Sequence, residues 1–108
     1  MAANDGLITT DDLAGYRALE RSPVRGIFKE FEIVSVAPPS SGGVHVLQML
    51  NLLEPYPLQS YGHNSAEYLH RLIESMKLAY ADRSRYLGDP DQTVVPTDAL
   101  ISKAYADE

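Results

Sequence analysis

The sequence predicts an α+β fold, built from one β-hairpin and about four helices in a single segment. Three observations point there. Two extended runs rich in Val, Ile and Phe, 22–28 and 31–36, are separated only by Lys29 and Glu30, the pattern of an antiparallel hairpin. Two later stretches carry apolar residues at helical spacing: Val46, Leu47, Leu50 and Leu53, then Leu69, Leu72, Ile73, Met76 and Tyr80. No other strand is visible, and two strands with apolar residues on both faces need more sheet and further layers around them. The pattern is that of a part of something larger.

The elements follow in chain order. Residues 1–8 read as frayed or cut, and the ordered part is expected over about 6–106 of the single segment 1–108. In "TTDDLAGY", Thr9 is placed to cap a short helix, with Asp12 three residues on in a capping-box arrangement. Asp11 and Asp12 also suit the positive end of that helix. The hairpin comes next. Its Lys29-Glu30 turn lacks the Asn or Gly that two-residue turns favour, which leaves room for a longer loop. Alternation places Phe31, Ile33 and Ser35 on one face of the second strand and Glu32, Val34 and Val36 on the other, so the strand is expected to be buried on both sides. Pro38 and Pro39 end it.

"SSGG" at 40–43 then opens the first long helical stripe, with Met49 and Leu52 flanking it, and Pro55 and Pro57 close it. "EPYPLQSYGHN" reads as a loop. Asn64 is the expected cap of the longest helix, with Glu67 three residues later. Its stripe continues to Leu87, Gly88 suits the position after the helix, and Asp89-Pro90 prevents continuation. A last short helix is expected from Thr97 or Asp98 toward Tyr105.

The net charge of −6 argues against nucleic acid, which needs a basic patch, and against an anionic membrane surface. No apolar run approaches the roughly 20 residues of a membrane helix, and the first residues carry no signal-peptide pattern. The absence of cysteine removes disulfides, thiol catalysis and cysteine metal sites.

Few residues are arranged for chemistry. Ser41, Gly42 and Gly43 are weak anion-nest candidates, because backbone N–H groups at a helix start attract anions. The plainer reading is an N-cap serine with glycines that permit a tight strand-to-helix turn. No phosphate-loop Lys follows. A Ser41–His45 or His63–Asp82 triad has no supporting motif, since nothing puts a base beside the nucleophile. His45, His63 and His70 read as surface or capping residues. His63 and His70 share a helix face only if His63 is helical, and no carboxylate pair completes a metal set. Asp89 to Asp91 lacks the remaining spacing of a calcium loop. In the dense run from Lys77 to Asp91, ordinary ion pairs are expected, Asp82 with Arg85 and Arg83 near Tyr80.

"GLITTDDLAGY", "PPSSGGVHVLQMLNLLE", "GHNSAEYLHRLIESMKLAYADRSRYLGDPD" and "VPTDALISKAYA" resemble the C-terminal part of the large subunit of γ-glutamyltranspeptidases. The likeness runs in order from Gly6 to Ala106. It implies a partial αββα sandwich of the N-terminal nucleophile hydrolase type. It also implies a parent enzyme that cuts itself into large and small subunits and needs no cofactor. That enzyme transfers or hydrolyses the γ-glutamyl group of glutathione and related amides, through the freed N-terminal Thr of the small subunit.

By the same resemblance the nucleophile, the oxyanion-hole glycines and the substrate-binding residues lie outside this chain. Catalytic and substrate-binding residues are therefore expected to be absent here, and Gly42 and Gly43 are not the oxyanion pair. Glu30 stands where the family commonly has Gly. The expected partners are the remainder of the large subunit and the small subunit, and the fragment alone is expected to self-associate through an open strand edge. The resemblance places the parent enzyme in the periplasm or outside the cell. The rival reading is a free-standing interaction module without catalytic activity.

Overall fold

In the computed structural model, which describes residues 2–108, a single 3-10 turn at Ala2–Asn4 precedes helix α1, Thr10–Gly15. The capping box forms as the sequence predicts. Thr9 Oγ1 accepts from the Asp12 amide at 3.2 Å, and the Asp12 carboxylate accepts from the Thr9 amide at 2.8 Å. Yet α1 buries none of its residues, and Leu7, Leu13, Tyr16 and Leu19 around it are exposed. This helix is held by its own cap and not by packing.

Strands β1, Val24–Phe28, and β2, Phe31–Ser35, pair antiparallel with Phe28 opposite Phe31. That register leaves Lys29 and Glu30 alone in the turn, so no longer loop is used. Lys29 takes a left-handed φ of 53°, which a two-residue hairpin asks of its first central residue and Gly usually supplies. The Lys29 amide donates to Glu54 Oε1 at 2.7 Å, an anchor outside the hairpin. Glu30 carries no positive φ, so it needs no glycine.

Val24 and Gly26 of β1 face inward with Ile33 and Ser35 of β2, while Arg25, Ile27, Glu32 and Val34 face out. The expectation of burial on both sides therefore fails. Helix α2, Gly42–Leu53, covers the inner face, but among the described residues no second layer covers the outer one. Ile27, Val34 and Val36 remain exposed.

Val44 and Leu47 of α2 are the largest fully buried side chains. They form the core with Val24 and Leu100, ringed by Ile33, Ala37, Tyr86, Leu87, Ile101 and Tyr105. The helix lies close to the hairpin because two glycines leave room. A Cβ on Gly43 would stand 2.1 Å from the Val36 carbonyl oxygen, and one on Gly26 would stand 2.6 Å from Leu47 Cδ2.

The expected loop after Pro55 contains a helical turn, α3, Leu58–Tyr61. The long helix α4, Ala66–Tyr86, is capped by Ser65 and not by Asn64. Asn64 takes a left-handed φ of 54°, which Asn tolerates well. Extended Ser65 then offers its Oγ to the Tyr68 amide at 3.1 Å. Toward α2 the helix turns its small residues Ser75 and Ala79, the two it buries. The apolar stripe expected to be core instead faces outward in part. Leu69 and Met76 are exposed, and Ile73 and Tyr80 are 52% and 54% exposed.

The last helix divides into α5, Thr97–Leu100, and α6, Lys103–Ala106. Ser102 is the reason, since its Oγ accepts from the Tyr105 amide at 3.1 Å and starts a new helix. The whole is elongated, 56 × 29 × 22 Å, with a radius of gyration of 18.0 Å. A compact chain of this length has a radius near ~13 Å. A compact chain of this mass exposes about 5,900 Å², whereas this one exposes 7947 Å².

Candidate functional site

The strand-to-helix turn is the first candidate. Ser41 occupies the N-cap position of α2 in a helical conformation and makes no capping bond with its side chain. Its Oγ instead accepts from Arg83 Nε at 3.2 Å, and the Gly42 amide donates to Ser40 Oγ at 3.3 Å. Gly43 is buried against the Val36 carbonyl, whereas a Cβ on Gly42 would meet nothing closer than 3.6 Å. Of the two glycines, only Gly43 is required by chain geometry. The cleft at this helix start is lined by Ser41, Arg83, Ser84 and Asp89, among others. An anion entering it would meet the Asp89 carboxylate as well as the Arg83 guanidinium.

A buried polar layer lies behind that turn. His45, Gln48 and Asn51 recur every three residues along α2 and are all buried. Gln48 Nε2 donates to Asp82 Oδ2. The Tyr105 hydroxyl donates to the same carboxylate, 3.1 Å from each oxygen. Asn51 Nδ2 donates to the Ile101 carbonyl at 2.7 Å. Glu54 accepts from the Lys29 amide and from Lys103 Nζ. These bonds bind α2 to α4, to the tail and to the hairpin turn. Burial, and then the Asp82 carboxylate, push the Tyr105 phenol above its ordinary value.

His45 is only 6% exposed. Its ring lies 5.3 Å from that of Tyr80, and its Nε2 has no hydrogen-bond partner. Burial first, and the Arg83 charge second, hold its pKa below 6.5 against the opposing pull of Asp82. The expectation of a surface or capping histidine is thus corrected at His45, while His63 and His70 are exposed.

Ser41, His45 and Asp82 do not form a relay. Ser41 is bonded to Arg83, Asp82 to Gln48 and Tyr105, and His45 Nε2 to nothing. His63 precedes α4 and is not helical, so it shares no helix face with His70. Asp91 forms a two-bond ion pair with Arg21, at 3.2 and 2.5 Å, and its amide donates to Asp89 Oδ1 at 3.0 Å. The Asp82–Arg85 pair expected from spacing does not form, because Asp82 turns inward and Arg85 lies over the Tyr86 ring at 5.2 Å. A signal for this was present. Asp82 follows Ser75 and Ala79 at seven and three residues, on the face that α4 buries.

The arrangement is that of a structural brace, with no nucleophile beside a base among the described residues. Comparison with known proteins gives the family. The Gamma-glutamyltranspeptidase family model matches residues 1–108, and the chain belongs to that family. It is 51% identical over 106 residues, 98% of its length, to the glutathione hydrolase proenzyme of Escherichia coli, covering 18% of that protein. It is 51% identical over 108 residues to the acylase ACY 1 proenzyme of Pseudomonas sp. strain SE83, covering 19% of it. The crystal structure of Helicobacter pylori γ-glutamyltranspeptidase superposes with a TM-score of 0.89 at 48% identity, over 94% of this chain and 29% of that one. The chain thus spans less than a fifth of the curated relatives it matches.

Proposed function

We propose that this chain is a structural segment, from the C-terminal part of the large subunit, of an enzyme that transfers or hydrolyses γ-glutamyl groups. The enzyme would be an αββα sandwich working outside the cytoplasm on glutathione and related amides. Its nucleophile, an N-terminal Thr, and its substrate-binding groups would come from elsewhere in the polypeptide. The segment supplies the hairpin and the helices that brace it, and partners with the rest of the large subunit and with the small subunit.

One observation carries the reading. The chain matches the family from end to end, yet leaves the outer hairpin face and one side of α4 uncovered. Its surface exceeds that of a compact chain by about 2,000 Å², the scale of an extensive subunit interface. The test is a γ-glutamyl-p-nitroanilide assay on the purified 108 residues. No p-nitroaniline above the buffer rate is expected. Steady release that follows the protein through purification would overturn the reading.

A further inference from the structure

Asp82 is a carboxylate without a countercharge. It accepts from Gln48 Nε2 and from the Tyr105 hydroxyl, both neutral donors. Among the described residues it forms no salt bridge, and Arg21, Arg25, Lys77 and Lys103 are each paired with another carboxylate. An ionised carboxylate has about four acceptor sites, so capacity remains after these two donors. Gln48 is 3% exposed, and its Oε1 has no hydrogen-bond partner. Asp82 and Gln48 line one cleft of about 390 Å³, where α2, α4 and α6 converge. Its other walls are Leu52, Leu78, Ala81 and Ala106, with Tyr105 and Glu108 beside them. That volume falls in the range of about 300–1,000 Å³ that small-molecule sites occupy.

The polar lining is one-sided. Its donors, Gln48 Nε2 and the Tyr105 hydroxyl, are already engaged by Asp82. What remains is acceptors, Gln48 Oε1 and the open lone pairs of Asp82. An anion would be repelled there, and an alcohol brings a single donor and no charge. We infer that this cleft is a binding site for a primary alkylammonium group, with its nitrogen at Asp82 and Gln48 Oε1 and its methylenes along Leu52, Leu78, Ala81 and Ala106. An ammonium carries three donors and no acceptor, the complement of such a lining. It also supplies the countercharge that Asp82 lacks, and charge-assisted hydrogen bonds are about twice as strong as neutral ones. The stem covers apolar wall as the stem of a lysine does. A free alkylamine and a lysine side chain of another polypeptide segment present the same group. The site is built from this chain's own residues and does not depend on the enzymatic reading, so the anilide assay and the measurements below fail independently.

Nitrogen–proton correlation NMR on the 108-residue chain at neutral pH tests it, with n-pentylammonium chloride as the probe. Saturable shifts are expected at the Gln48 side-chain amide and at the backbone amides of Leu78, Ala81 and Tyr105. n-Pentanol has the same stem and no charge, and tetramethylammonium has the charge and no N–H. Each should bind roughly tenfold more weakly or worse. Asp82→Asn should weaken pentylammonium by roughly tenfold or more. If circular dichroism shows that variant unfolded, Ala106→Leu, which fills the cleft and leaves the carboxylate in place, makes the same comparison. Nα-acetyl-lysine N-methylamide reads the source. Binding as tight as that of pentylammonium assigns the site to a lysine side chain, and binding of pentylammonium alone assigns it to a free amine. Shifts that rise linearly with probe, that n-pentanol matches, or that spread equally to exposed carboxylates such as Glu67 and Asp98 would overturn the inference. So would unchanged affinity in the folded variant.

Discussion

Replacing each of three glycines in turn by alanine should separate their roles by amounts the geometry sets. At Gly43 the new Cβ would lie 2.1 Å from the Val36 carbonyl oxygen, 2.7 Å from Val24 Cγ2 and 3.1 Å from Ser35 Cβ. The first contact is more than 1 Å inside the 3.4 Å where ordinary contact begins. The obstacle is backbone, so no side chain can swing aside. The helix must lift from the hairpin and open the Val24–Val44–Leu47 core.

Overpacking of this kind costs about 1–3 kcal/mol, and the rigid neighbours put Gly43→Ala near ~3 kcal/mol. Against a folding stability of about 5–15 kcal/mol, that is a large fraction. At Gly26 the Cβ meets Leu47 Cδ2 at 2.6 Å, the end of a flexible side chain, so about 1 kcal/mol is expected. At Gly42 the nearest atom is 3.6 Å away. Alanine there narrows the unfolded ensemble and should stabilise by about 0.4–1 kcal/mol. Urea titrations followed by circular dichroism give the three values from midpoints at a shared slope. If Gly43→Ala unfolds with the wild type, or if Gly42→Ala and Gly43→Ala are equally destabilised, the account of why α2 sits where it does is wrong.

Two further outcomes are expected. The folded pKa of His45 lies below 6.5, so the unfolded chain takes up the proton first as pH falls. Stability is intact above about 6.5 and declines from there toward the folded pKa. The urea midpoint should drop between pH 7.5 and 5.5, and His45→Phe should flatten that drop. The lowered carboxylates Asp12, Glu54, Glu74 and Asp91 act only below their ordinary values of 3.8 to 4.5, outside this window. Thr9→Ala removes a cap typically worth about 1 kcal/mol, but α1 buries nothing. Amide exchange should therefore quicken over residues 10–15 while the global urea midpoint stays put.

What could be read in the sequence was what neighbours along the chain decide. The Thr9–Asp12 box, the hairpin strands, and the stop at Pro38 all depend on residues within a few positions of one another. The cap of α4 slipped by one residue, because Asn64 and Ser65 both suit a helix start and only the backbone chooses which one is extended. At Lys29 a non-glycine holds a left-handed φ with its amide fixed by Glu54, 25 residues away, and no local pattern contains that. The α4 stripe was found correctly as a stripe, but periodicity says that a face is apolar and not what covers it. The close approach of α2 is made by Ser75 and Ala79, whose small size carries little hydropathy signal. Asp82 continues that small-residue face. Its partners, Gln48 and Tyr105, are 34 and 23 residues away.

Glu54 has a consequence for the order in which the chain closes. It joins the hairpin turn 25 residues before it and Lys103, 49 residues after it. Closing a loop twice as long costs only about 0.6 kcal/mol more, so entropy hardly separates the two bonds. Biosynthesis separates them fully. The hairpin turn can bond to Glu54 once residue 54 has emerged, while Leu100, Asp82 and Ile101, which complete the packing of α2, are still to come. The Lys103 side must wait for a further 49 residues. A single carboxylate is therefore an early fastener on one side and a late latch on the other.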